Sequence, residues 1–512
     1  MEKISLFKPI LILIILSEYL LSASNPHKNF NESNPSETTN EELVLQYLKN
    51  IQDNFSYDAF LVPAMEDNSG QTFNNAVTAM AFILTDEKER AERILDFYAN
   101  RMDSSNQILN SQNFFYYDEA RGFFQNVDLD NLYYPFICDR WMGDNAWLLI
   151  AFKYYELEYG FDTKPNYTSS VTNLKNLLLD FYIDDPFGHG GFVRHGWRWG
   201  PRNSSQPQND YQLHESDSSG NPIGHEEGNI DAYAALKLCG EYEKAEMIKD
   251  WIDYRMTELQ GNPNLPLDLF SWRSLAFCNE GLYYKLLVNV PENDPGFKKQ
   301  ITFLGREAIG FFSRDDASIQ NVWLDGLGHM VCAFYSSGNI DKGNFYSAQL
   351  DSFLINPSFG SSNSLAVPYT ANKTGGYDWV DIGKGFSSSC AWYIFAKNGF
   401  NPFTFEMNLP TSVKEAESTN INLKFNQNFP NPFNLSTTIS YLVPKNQPVE
   451  IIIFDILGKK VKSLFEGYSE SGVNEIVWDG KNERNEIVNS GMYFYRIKSN
   501  EIILSGKMVL NK

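Results

Sequence analysis

The sequence predicts a mainly α body, a ring of inner helices wrapped by outer ones, followed by a small all-β sandwich. Three observations carry this. Residues 41 to 400 hold twelve segments of helical period. These alternate between helices apolar nearly all round and helices apolar on one face only. At residue 403 the period stops, and after a polar stretch the chain turns to short β-rich runs parted by Gly, Asn and Pro.

Taken in order, the chain opens with "MEKISLFKPILILIILSEYLLSASNP". Lys3 and Lys8 precede an apolar run from about Ile10 to Leu21, and Ser22, Ala23 and Ser24 follow, so residues 1–24 have the layout of a secretory signal peptide. The run is short for a membrane span of about 20 residues, and no later segment is apolar enough for one. Helices are expected at 41–55, 71–84, 86–102, 143–160, 166–182, 228–239, 241–257, 271–289, 297–312, 323–338, 340–355 and 385–398. Stretches such as "NNAVTAMAFILTDEKERAERILDFY" and "NIDAYAALKLCGEYEKAEMIKDWI" repeat one unit: an apolar helix, a tight turn, then an amphipathic helix. The first of each pair suits a buried inner position and the second an outer one.

Loop lengths agree with a ring. The long insertions, 103–142, 183–227 and 356–384, all lead into inner helices, so a ring gathers them at one mouth, where binding and catalysis usually sit. Residues 403–422 read as a linker and 423–512 as an antiparallel sandwich. The formal charge of −22 excludes nucleic acid as a partner, because phosphate binding needs a basic face. Five widely spaced cysteines without any CxxC indicate neither a disulfide framework nor a zinc site.

On the motifs "GDNAWLLIAFKYY", "EEGNIDAYAAL" and "SSSCAWYIFAKNGFNPF", the region 41–402 resembles the six-hairpin (α/α)6 toroid of glycoside hydrolases and related polysaccharide lyases. The tail resembles, along its whole length, the Ig-like C-terminal sorting domain of type IX secretion cargo. The matching residues are "NFPNPFN", "STTISY", "IFDILGKKV", "WDG", "SGMYFYRI" and the final "KMVL". That resemblance implies a partner, the type IX secretion machinery, and a location at the surface or in the medium of a Gram-negative cell.

Carboxylates recur where inner helices begin. Glu66 and Asp67 precede the first, Asp139 and Asp144 stand at the second, Glu226 and Glu227 at the third, Asp325 at the fifth, and Asp378 and Asp381 at the sixth. Acidic residues at a helix N-terminus also serve simply as caps. A ring turns them into a circle of carboxylates, and glycosidic hydrolysis needs two: one to donate a proton and one to activate water or attack the sugar. Glu227 is expected as the general acid and Asp144 as its partner, with Glu226 and Asp325 as substitutes. Asp231, one turn into its helix, reads as an internal hydrogen-bonding residue.

Flat aromatic rings cover the apolar faces of sugars, so Trp141, His195, Trp197, Trp199, Tyr377 and Trp379 are expected in substrate binding, together with Asp67. Arg194, Arg198 and Arg202 would instead hold a uronate carboxylate if the enzyme were a lyase. No HExxH, P-loop, GxSxG or GxGxxG in a strand context is present, and neither a cofactor nor a metal is indicated. The sequence therefore points to an exported enzyme acting on a poly- or oligosaccharide, a glycoside hydrolase first. A lyase or sugar epimerase on the same scaffold and a non-catalytic glycan-binding protein are the alternatives.

Overall fold

The computed structural model describes residues 38–511 apart from 56–60, 68, 103–115, 118–119, 130–138, 200–210, 214–223, 260–261, 263–264, 314–320, 359–362, 373–378, 410–423, 426–427, 429, 444–445, 456–458 and 500–501. The expected signal peptide and most of the expected linker lie outside these residues.

Among the described residues six helices form the inner layer: α2 (Thr72–Leu84), α4 (Met142–Tyr159), α6 (Glu226–Leu238), α8 (Asp268–Ala276), α11 (Leu324–Ser336) and α13 (Ser387–Asn398). Each packs on the next and α13 packs back on α2, which closes a ring of six. Outside them lie α1 (Asn40–Phe55), α3 (Lys88–Arg101), α5 (Pro165–Phe181), α7 (Tyr242–Glu258), the short α9 (Leu282–Leu286) and α10 (Asn289–Asn293), and α12 (Ile340–Ser352). This is an (α/α)6 toroid, and burial follows the alternation read from the sequence. Every residue of α11 is buried, whereas α7 buries only Ala245, Ile248, Trp251 and Ile252.

Aromatic rings fill the axis. Trp147 of α4 meets Trp272 of α8 at 5.5 Å and Trp392 of α13 at 6.0 Å between centroids, and Phe403 closes on Trp147 at 4.7 Å. Edge contacts of this kind add to the apolar area each ring buries. The ring thus has a solid floor.

One expected helix is not a helix. Residues 297–312 form a β-hairpin, Lys298–Phe303 against Arg306–Phe311. Its two turn residues, Leu304 and Gly305, have φ of 47° and 80°, the left-handed pair that a two-residue hairpin needs. The expected helix 271–289 also breaks, into α8, α9 and the start of α10, where Gly281 takes φ 151°.

The tail is a sandwich of two antiparallel sheets. One holds Lys424–Phe425, Thr437–Val443 and Gly472–Trp478; the other orders Lys460–Ser469, Gln447–Asp455, Gly491–Ser499 and Ile502–Leu510. Its own core includes Trp478, Tyr493 and Tyr495, so these aromatics are structural and offer no exposed sugar platform. Among the described residues no helix is long and apolar enough to cross a membrane.

Candidate active site

The entrances of four of the six inner helices are fixed by one repeated device at the fourth helical residue. In α4 the Asn145 side chain accepts the Phe123 amide at 2.8 Å and donates to the Phe123 carbonyl at 3.3 Å. Asn75 in α2 brackets Val62 in the same way, and Asn229 in α6 brackets Val193. In α13 the thiol of Cys390 takes that place against Val367. A side chain with one donor and one acceptor thus copies a strand partner and satisfies backbone groups that are otherwise buried and unpaired. The loops feeding the mouth are anchored by it.

Beside these anchors α4 and α6 touch through glycine. A Cβ added to Gly143 would lie 3.2 Å from the Cα of Gly228 and 2.9 Å from Oδ2 of Asp231. Asp144 and Glu227 are the chain neighbours of these two glycines.

Asp231 of α6 lies within electrostatic reach of three further carboxyls: Asp144 of α4, Glu227 of α6 and Asp268 of α8. Burial raises Asp231 well above the usual carboxyl range, and the charges of Glu227, Asp144 and Asp268 raise it further. Asp268 is raised in the same direction by burial and by Glu227, with His225 pulling the other way. Burial alone pushes Asp144 up to about 7. Oδ2 of Asp144 and Oδ1 of Asp231 have no hydrogen-bond partner, and the Trp147 indole leans toward Asp231 without reaching hydrogen-bond geometry. Asp231, expected as an internal hydrogen-bonding residue, thus stands among the carboxyls with the Trp147 indole beside it. Burial and neighbouring negative charge both favour the protonated form of a carboxyl, the direction that acid chemistry requires.

A ladder of flat rings stands at the same entrances. Trp141, just before α4, lies 4.0 Å from His195 between centroids, and His195 lies 5.0 Å from His225, just before α6. The strand Arg140–Trp141 pairs with Gly196–Trp199, and the Met142 amide donates to the His195 carbonyl, so the ladder is held by backbone.

The other expected residues go elsewhere. Glu226 turns to the outer layer and pairs with Arg255 of α7 at 2.8 Å. Asp325 is buried between inner helices, where Ser388 and Ser389 of α13 donate to it, and burial pushes it up to about 7. Asp67 accepts the Ser69 amide at 3.0 Å and Asp381 the Gly383 amide at 3.0 Å, each closing its own turn. Glu66 accepts from Ser358 at 2.6 Å. Trp197 packs on Phe181 of outer helix α5, and Arg194 stands over the same ring. Trp379 is at the rim near α13, 53% exposed. Asp378, Tyr377 and Arg202 lie outside the described residues, as do the side chains of Arg198 and Trp199.

Sequence reasoning missed Asp268 and His225. The signal for Asp268 was available: the fourth inner helix was the one without an acidic entrance, and "LPLDLF" supplies it three residues before the expected start. Among the described residues no group of three or more His, Cys, Asp or Glu is arranged to hold a metal ion.

Residues 427–511 match the family described as secretion system C-terminal sorting domain. The chain therefore carries a type IX sorting tail, the mark of a Gram-negative protein delivered to the cell surface or medium. The chain is similar over 17% of its length to part of latent dimeric PorU from Porphyromonas gingivalis, at 26% identity and with a TM-score of 0.16; the match spans 9% of PorU. The larger part is similar to cellobiose 2-epimerase from Spirochaeta thermophila, at 12% identity over 71% of this chain and 96% of the other, with a TM-score of 0.43. It is also similar to an alpha-amylase from Clostridium perfringens, at 10% identity over 71% of this chain and 98% of the other, with a TM-score of 0.41. No curated relative matches the sequence.

Proposed function

We propose that the mouth of the ring hydrolyses glycosidic bonds, with Asp144 as proton donor and Glu227 as the partner carboxylate. The observation that supports this reading is the cluster of Asp144, Glu227, Asp231 and Asp268 at three consecutive inner-helix entrances beside the ladder of Trp141, His195 and His225. Roles are reversed from the sequence expectation because burial raises Asp144 to about 7 and so favours its protonated form, while Asp231 and Asp268 are the buried members of the group.

In the reaction the Asp144 carboxyl gives its proton to the leaving oxygen as the bond to the anomeric carbon breaks. Glu227 takes a proton from the attacking water, or attacks the carbon itself. Burial and the neighbouring charges favour the neutral forms of Asp231 and Asp268, which limits the charge that the site accumulates.

Reducing-end release over a panel of polysaccharides tests the activity, and leaving groups test the roles. Asp144→Asn retains turnover on aryl glycosides or glycosyl fluorides, which need no acid, and loses about 10² to 10⁴ on native glycans. Glu227→Gln loses turnover on both. Equal losses for the two variants on both substrates would reverse or remove the assignment.

The histidine ladder favours a second reading, proton abstraction from a sugar carbon by His195 or His225, as in epimerisation or elimination. Deuterium uptake from heavy water, or products absorbing in the near ultraviolet, distinguishes it from hydrolysis.

A further inference from the structure

The acid cluster occupies one side of the mouth, at α4, α6 and α8. Trp379 stands on the other. Its ring packs on Tyr369 at 5.4 Å and on Phe386 at 6.2 Å. Phe386 is the residue before α13, and the Tyr369 carbonyl accepts the first amide of α11, so Trp379 belongs to the same end of the ring as Asp144 and Glu227.

Around the ring α13 is three steps from α6 in either direction. With neighbouring helix axes about 8–10 Å apart, a ring of six sets opposite helices roughly 16–20 Å apart. The floor between them is aromatic, made by Phe73, Trp147, Trp272 and Trp392. Trp379 keeps 53% of its surface exposed at this rim, and a pyranose offers an indole an apolar face to stack on.

We propose that the substrate is a glycan chain crossing the whole mouth, with Trp379 as a distal stacking platform about three to four sugar residues from the bond that is cut. This rests on the glycosidase reading and adds a length requirement to it. Short oligosaccharides reach the cluster but not Trp379; longer ones engage both.

The test uses the full secreted chain and cello-, xylo-, malto- and manno-oligosaccharides of increasing length, from the disaccharide upward. Where one series is cleaved, Trp379→Ala raises KM about tenfold for the long members with kcat unchanged and leaves the disaccharide as it was, and Trp379→Phe restores most of the loss. Where none is cleaved, the same length dependence is read in binding by calorimetry. A length-independent effect, no effect at any length, or no binding to any series overturns the proposal. Glu227→Gln separates the two ideas. If it abolishes cleavage while Trp379→Ala changes nothing, the span fails and the glycosidase reading stands. If it leaves cleavage intact, the assignment of the acid cluster fails.

Discussion

Gly143 of α4 and Gly228 of α6 meet backbone to backbone, and the meeting is asymmetric. A Cβ on Gly143 would press on Asp231 at 2.9 Å and on Gly228 at 3.2 Å, whereas one on Gly228 would find its nearest atom, in Gly143, at an ordinary 3.6 Å. Gly143→Ala is expected to destabilise the protein by about 1–3 kcal/mol and to lower turnover, because it drives the acid cluster apart. Gly228→Ala is expected to be neutral or stabilising by up to about 1 kcal/mol, since alanine favours the helix. Denaturant melts of both variants check the sign.

Glu226 and Glu227 are neighbours with opposite expectations. Glu226→Gln removes a partly exposed ion pair with Arg255 and is expected to cost about 1 kcal/mol or less, with turnover close to that of the parent. Glu227→Gln is expected to lower turnover by about 10² to 10⁴ with an unchanged melt. Equal effects of the two on turnover would return both residues to helix capping.

The pH dependence has a definite sign. Burial raises Asp144 and Asp325 to about 7 and raises Asp231 and Asp268 as well. In the unfolded chain these groups titrate near 4, so between about pH 4 and 7 the native state binds more protons. Their contribution is fully present below about pH 4 and is lost as pH rises through 7. The Tm is therefore expected to fall from pH 5 to pH 8, and Asp144→Asn to shrink that fall by an amount on the order of a few kcal/mol in stability. A Tm that climbs over the same interval contradicts the buried cluster.

Toroid and sandwich have separate apolar cores, one centred on Trp147 and Trp392 and the other on Trp478. A chain ending at residue 409 is expected to melt cooperatively as a helical protein, and in the native host to remain in the periplasm because the sorting tail matched at 427–511 is gone. Circular dichroism and cell fractionation check the two halves; export of the shortened chain at the parental level contradicts the second.

Sequence alone determined the architecture, because architecture is written in periodicity. Helices apolar all round, such as α11, have only the inside of a ring to occupy, and one-sided helices such as α7 have only its outside. It also determined that acidic residues stand at the entrances of inner helices. Tertiary structure decided which of them meet. Successive helical residues diverge by about 100°, so Glu226 reaches Arg255 on the outer layer while Glu227 turns to the cluster. Which of the two faces the cluster is set by the phase of α6 in the ring, and the close Gly143–Gly228 approach is one constraint on that phase. Protonation was decided there too, since Asp144, Asp231 and Asp268 are ordinary aspartates until three helices exclude water from them. The hairpin at 298–311 was settled by packing and by two left-handed turn residues, which apolar spacing over so short a run does not distinguish from a helix.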